Sequence, residues 1–233
     1  MKWTSAMLAE LLNGRGEFFE AISQETAQTM LDAGRVATYE KGSFVTRRGQ
    51  PEPRLCFVLS GQVRLTAFTE DGREILSLIL YPGDCWGVHP CLGNLREVND
   101  SVVQERGEIL NLKPHEVQNL MWMRQDFQKT MIAVLCHRLN LSIRLAQQIG
   151  TWSARQRVAW RLLLSAHALD SANVASAEIR LSQENLASMV SLSRQRTNLI
   201  LKSLEKDGLI RLGYGRIHID DTAALRADMK SDH

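Results

Sequence analysis

The stretch LSRQRTNLILKSLEKDGLI, Leu192–Ile210, decides how the chain is read. Ser193 is placed to cap a helix, its hydroxyl accepting from an orphan backbone N–H of the first turn. At about 100° per residue, Thr197, Ile200, Leu201 and Leu204 gather on one face, ready to pack on a neighbouring helix. Arg194, Gln195, Asn198 and Lys202 gather on the other. That outer face has the chemistry of a DNA major groove. Arg donates twice to guanine, Gln and Asn pair with adenine, and Lys neutralises a phosphate. The helix N-terminus itself favours an anion. A helix that only packs in a core has no need of such an end.

Outward from this helix the sequence supplies partners for it. Leu181-Ser182 opens a short helix through Val190, and Ser191-Leu192-Ser193 makes a turn into the second. Leu209–Leu212, a Gly213-Tyr214-Gly215 turn and Arg216–Ile219 read as a two-stranded hairpin, with Asp170–Glu178 as a loop upstream. Ala154–Leu169 reads as an amphipathic helix. Helix, turn, helix and wing make a winged helix-turn-helix. Before it, about Glu116 to Gly150 is helical in pattern and free of Pro and Gly until Gly150. Ile132, Leu135, Leu139, Ser142, Ala146 and Ile149 recur there at coiled-coil spacing and predict a homodimer seam.

From about Arg35 to Leu112 the pattern turns to short strands. Turn signals fall at Lys41-Gly42, Arg48-Gly49, Ser60-Gly61, Asp71-Gly72 and Pro82-Gly83, the rhythm of a β-sandwich or roll. Between them lie the apolar runs Cys56–Leu59, Val63–Phe68 and Ile75–Leu80, and Asp71-Gly72 reads as a hairpin turn. The expected fold is α+β: an N-terminal double-stranded β-roll of jelly-roll type, a long dimerisation helix and a C-terminal winged helix-turn-helix. The expected domains are 1–115, including a helical lead-in, then 116–150, then 151–233.

The segment LASMVSLSRQRTNLILKSLEKDGLI with its hairpin resembles the DNA-binding half of the Crp/Fnr superfamily of bacterial transcription regulators. The roll segments LCFVLSGQVRLTAFTEDGREILSLILYPGD resemble that family's cyclic-nucleotide-binding-type roll, and residues 116–150 fall where it places its dimer helix. The resemblance covers nearly the whole chain. It implies a homodimeric, sequence-specific regulator on double-stranded DNA, working with RNA polymerase and answering a small-molecule effector. The family's base-reading positions carry over to Arg194, Gln195 and Leu199; many members have Arg at the third, and Leu199 can touch only a thymine methyl. With Ser193, Arg196, Asn198, Lys202 and the wing residue Arg216 these form the expected DNA-binding set.

The resemblance also defines a candidate effector pocket: Gly87, Val88, His89, Arg96 and Ser142. Members that answer cyclic AMP carry a Gly-Glu pair and a later Arg-Ser pair; here Val88 replaces the Glu, and Glu97 follows Arg96. Only Ser142 matches, which argues against cyclic AMP. Iron–sulfur members use N-terminal cysteines, and the first here is Cys56, which argues against a cluster. Haem members carry Cys-x-His; His89 matches the His and is the one haem-ligand candidate, while Gly87 takes the Cys position. Cys85 and Cys91 read either as redox thiols or as small buried hydrophobes. The effector is left unassigned.

Composition agrees with this reading. The net charge of +2 is uneven: residues 151–233 hold 12 Lys/Arg against 9 Asp/Glu, and residues 1–150 hold 16 against 17. Four scattered cysteines fit a reducing compartment, and no apolar run reaches membrane-spanning length, so a cytoplasmic location without membrane contact is expected. No phosphate loop, nucleophile elbow or metal-ligand spacing occurs, so an enzyme is not expected. Two other classes are open: a ligand-binding module whose helix-turn-helix contacts protein, and a constitutive DNA-binding protein whose roll is only a scaffold.

Overall fold

The structure is a computed structural model and describes residues 2–14, 22–68, 74–148, 151–166 and 174–231. The chain divides into two compact units, Met1–Leu145 and Ala146–His233. In the first unit the order is α1 (Ser5–Asn13), α2 (Gln24–Ala33), β1 (Arg35–Tyr39), β2 (Phe44–Thr46), β3 (Leu55–Val58), β4 (Gln62–Phe68), β5 (Glu74–Leu80), β6 (Cys85–Trp86), α3 (Val88–Gly93), β7 (Asp100–Glu105), β8 (Gly107–Leu112), α4 (Pro114–Met123) and α5 (Gln125–Gln148), the last running on into the second unit.

The strands form two antiparallel four-stranded sheets, ordered β1-β8-β3-β6 and β2-β7-β4-β5. Strand β3 shows why the runs are continuously apolar rather than alternating. Leu55 and Phe57 point into a core shared with α1, α2, α4 and α5, while Cys56 and Val58 point into a second core with Val63, Leu65 and Trp86. All four residues of β3 are buried. A strand covered on both faces has no solvent side to mark with polar residues. Each large side chain so buried contributes about 1.5–3 kcal/mol. The Asp71-Gly72 turn lies outside the described residues, but β4 and β5 pair from Val63–Leu80 to Phe68–Glu74, as a hairpin requires.

The long helical pattern is not one helix. It breaks at Arg124, which is extended (φ −128°, ψ 102°) between α4 and α5. No Pro or Gly announces the break because tertiary contacts make it. Asp126 accepts from the Ser23 backbone N–H at 2.9 Å and the Thr26 hydroxyl at 2.7 Å, and Arg124 pairs with Glu25 at 2.5 Å. The start of α5 is thereby tied to the start of α2. Phe127, Met131 and Val134 bury one side of α5 against the first core.

The second unit follows as α6 (Ala154–Ser165), β9 (Ala177–Ile179), α7 (Gln183–Met189), α8 (Arg194–Lys206), β10 (Ile210–Gly213), β11 (Arg216–Ile219) and α9 (Thr222–Ser231). The wing is three-stranded, not two-stranded: β9 begins at the end of the stretch read as loop and pairs with β11, Ile179 opposite Ile217 and Ala177 opposite Ile219. A three-residue strand is too short to show alternation, and only Ile179 of it is fully buried. No described helix is long and apolar enough to cross a membrane.

Candidate nucleic-acid interface

Ser182 caps α7, its hydroxyl accepting from the Asn185 N–H at 3.1 Å. The chain then turns through Ser191, whose φ of 53° lets Leu192 N–H reach back to the Ala187 carbonyl at 3.0 Å. Ser193 caps α8 as expected, accepting from Arg196 N–H at 3.2 Å, and the Thr197 hydroxyl donates to the Ser193 carbonyl at 3.1 Å. Thr197, Leu201 and Leu204 are fully buried and Ile200 is half-buried, so the back of α8 is its anchor.

The outward face is as the sequence suggested, with one difference. Arg194, Gln195, Arg196 and Lys202 are exposed, and Leu199 is 63% exposed. Asn198 is half-buried instead, its amide N–H donating to the Gln183 side-chain oxygen of α7 at 2.7 Å. Gln183, Arg194, Gln195, Asn198 and Leu199 together line a cleft of about 460 Å³. A second cleft, about 500 Å³, runs from Ser182 and Gln183 past Arg194 to Tyr214 and Arg216 at the wing.

Charge is distributed unevenly over this surface. In the wing, Arg211 pairs with Asp220 at 2.6 Å, and Arg216 pairs with Glu178 at 3.0 Å. Among the described residues, Arg194, Arg196 and Lys202 hold no ion pair. Of these cations, the ones without an ion pair thus sit on α8, and the two paired ones on the wing. Arg155 of α6 fixes the other end of that helix. It makes a bidentate pair with Asp228 at 3.0 and 2.8 Å, reaches Asp207 at 2.8 Å and donates to the Ser203 hydroxyl at 2.8 Å. These bonds raise the Arg155 pKa, the Asp228 hydrogen bonds most of all. The Glu205 carboxylate accepts from Leu212 N–H at 2.8 Å and ties the wing to the same helix.

The candidate seam is partly free. Ile132, Leu139, Ser142 and Ala146 are exposed on α5, while Leu135 is half-buried against the roll; Ile149 and Gly150 lie outside the described residues. Ile143 of α5 and Trp122 of α4 are also exposed, the latter at 90%.

The candidate effector residues differ in burial and in their partners. Gly87 (φ 82°) precedes α3, and a Cβ on it would lie 1.9 Å from the Arg54 carbonyl oxygen, so only glycine fits. Val88 is buried and His89 half-buried; burial and then Arg138 lower the His89 pKa. Arg96 is exposed and donates to the Gly49 carbonyl at 2.9 Å, and Ser142 is exposed, its hydroxyl donating to Arg138 O at 2.8 Å. A buried carboxyl group here is Glu97, which sequence reasoning noted only as a neighbour of Arg96. It is 5% exposed, one carboxylate oxygen has no partner, and burial pushes its pKa up to about 7 against a hydrogen bond from the Arg54 backbone N–H. Burial also pushes up the Cys85 thiol, and the Cys91 thiol to about 12.

Gln183 and Arg155 were missed by sequence reasoning. Neither sits in a periodic pattern that points at α8, and each reaches it from another helix.

Comparison with known proteins now bears on the two units separately. Residues 36–122 match the model of the cyclic nucleotide-binding domain, and residues 156–228 that of the Crp-like helix-turn-helix domain; together they take in more than half of the chain. An HTH-type transcriptional regulator, Cmr, of Mycobacterium tuberculosis is 27% identical over 207 residues, 88% of this chain and 81% of that protein. The cyclic AMP receptor protein of Thermus thermophilus is 25% identical over 89% of this chain and 94% of its own length. Among solved structures, a mutant of CooA from Carboxydothermus hydrogenoformans superposes with a TM-score of 0.72 at 21% identity, over 98% of this chain and 97% of that one, a likeness of fold. A roll of the cyclic nucleotide-binding type followed by a capped α8 with an open basic end thus has a family, and the chain belongs to the Crp/Fnr superfamily of transcription regulators.

Proposed function

We propose that this regulator acts as a homodimer on a pseudo-palindromic site, with α8 of each protomer in one of two successive major grooves about 34 Å apart. The observation that carries the reading is the division of α8: Thr197, Leu201 and Leu204 anchor it, and Arg194, Gln195 and Leu199 stand open with no ion pair on the arginine. Arg194 reads guanine, Leu199 meets a thymine methyl, and Arg196 and Lys202 neutralise phosphates, with Ser193 capping the helix. Arg216 reaches the backbone from the wing once it leaves Glu178. Arg194→Ala is expected to cost about 1–3 kcal/mol at a single base pair and to relax selection there. Anisotropy on a selected site and its single-pair variants checks this; an equal loss on every sequence would make Arg194 a phosphate contact.

The dimer reading rests on the uncovered face of α5. Leu139→Arg adds a charge at a position 61% exposed in the single chain, so the protomer fold is expected to survive it. Sedimentation at micromolar concentration is expected to show a dimer for the parent and a monomer for the variant. A parent that runs as monomer would remove the seam. Signal reception belongs to the roll, whose effector shifts the balance between two states only by binding them unequally. Val88 in place of a Glu, and Glu97 in place of a Ser after Arg96, support an effector other than cyclic AMP. The setting that fits is the cytoplasm, with RNA polymerase as the partner of the DNA-bound form.

A further inference from the structure

We propose that Gln183, on the helix before the reading helix, is a specificity-determining positioning residue. It locks the Asn198 amide in the orientation that recognises adenine. The inference rests on the reading that α8 enters a major groove, and goes beyond it by naming the base and the residue that enforces the choice.

The two amides come from different helices. Gln183 is the first residue of α7, directly after its Ser182 cap, and Asn198 lies in the second turn of α8. Their 2.7 Å bond runs from the Asn198 nitrogen to the Gln183 oxygen. Gln183 also borders both clefts of the surface, so it stands on the reading side of the unit although α7 is the supporting helix. On α8, Asn198 is flanked by exposed Gln195 one turn before it and by exposed Leu199 immediately after.

A planar side-chain amide has one acceptor end and one donor end. An unrestrained Asn can present either end first, and the two orientations ask for different bases. Adenine offers N6–H as donor and N7 as acceptor, whereas guanine offers O6 and N7, both acceptors. With one Asn198 N–H committed to Gln183, the remaining N–H and the oxygen form a donor–acceptor pair of fixed order. That pair complements adenine and leaves an oxygen facing oxygen against guanine. The bond also removes rotamer freedom before DNA arrives, so less is lost on binding. A thymine methyl against Leu199 at the adjoining step is compatible with the same register.

The test uses the full chain. A site is first selected from random duplexes with the parent protein. Anisotropy then compares A·T with G·C at each position, for the parent, Gln183→Ala, Asn198→Ala, the double variant and Gln183→Glu. Thermal melting by circular dichroism confirms that each variant is folded. The expected result is one position at which Gln183→Ala and Asn198→Ala each reduce the preference for adenine over guanine by about tenfold, within the range of one bidentate pair. The double variant is then no worse than Asn198→Ala alone. Gln183→Glu keeps an acceptor for the Asn198 N–H and restores the preference, even where its charge weakens binding overall. The proposal is overturned if Gln183→Ala weakens all duplexes equally, if it leaves the preference intact while Asn198→Ala abolishes it, or if the two act additively at different positions. A parent protein that binds no duplex removes the groove reading itself, a failure seen before any variant is compared.

Discussion

Raising the pH from about 4.5 to above 7 is expected to withdraw about 3 kcal/mol of stability from the roll, and Glu97→Gln to abolish that loss. The sign follows from the direction of the shift. The folded pKa of Glu97 is about 7, raised by burial above the ordinary 4.5, so the folded state holds the proton more tightly than the unfolded chain. The contribution is complete below the unfolded value and is lost as pH rises through the folded one. The other ionisable groups that bear on this region are Arg54, Cys56 and Cys91; burial pushes both thiols up, so they stay neutral across the range. His89 works in the opposite sense, since its lowered pKa favours the fold when neutral and that contribution is lost as pH falls. The parent must therefore be compared with the variant, not with itself. Urea unfolding at about pH 5 and about pH 8 isolates the carboxyl, because every other titrating group is common to both proteins. Gln at 97 keeps an acceptor for the Arg54 N–H. Above neutral pH it is expected to be more stable than the parent; equal pH dependence in the two would mean that the carboxyl is ionised and solvated in the fold.

Leu201→Ala is expected to destabilise the second unit by about 2–5 kcal/mol, the usual cost of emptying a buried leucine site. Leu201 is fully buried on the anchoring face of α8, between buried Thr197 and Leu204. Its loss is expected to lower DNA affinity on every sequence in proportion to the unfolded fraction, with base preference unchanged in the molecules that bind. Arg194→Ala should do the reverse: selection relaxes at one base pair while the melting temperature hardly moves. Thermal melting of both variants beside their binding profiles checks the contrast. If Leu201→Ala altered preference without altering stability, the buried face of α8 would not be a passive anchor.

The two halves of the chain differ in how much the sequence discloses. Helix α8 is legible because its requirements are local: Ser193 caps it, and one helical period separates Thr197, Leu201 and Leu204 from Arg194 and Lys202. The roll is legible from its turns, since Gly42, Gly49, Gly61 and Gly83 all take positive φ where the turn signals fell. What was hidden depends on distant partners. The break at Arg124 comes from Asp126 and Arg124 meeting α2 roughly a hundred residues earlier, and no local residue type marks it. Strand β9 is three residues long and is defined by its pairing with β11. At the reading surface, the 2.7 Å bond from Asn198 crosses fifteen residues to Gln183, a contact set by how two helices cross and not by spacing on either. Glu97 was legible as a carboxylate out of place beside Arg96, but its burial was not, because the side chain that turns inward is decided by the packing around Gly87.

The central claim is that α8 brings an open cationic end to DNA, and its most direct test is anisotropy of the full chain on mixed-sequence duplex DNA at two salt concentrations. Phosphate contacts release counterions, so affinity is expected to fall steeply with salt, by a factor that shrinks when Lys202 is replaced by Gln. No binding, or binding indifferent to salt, would contradict the account.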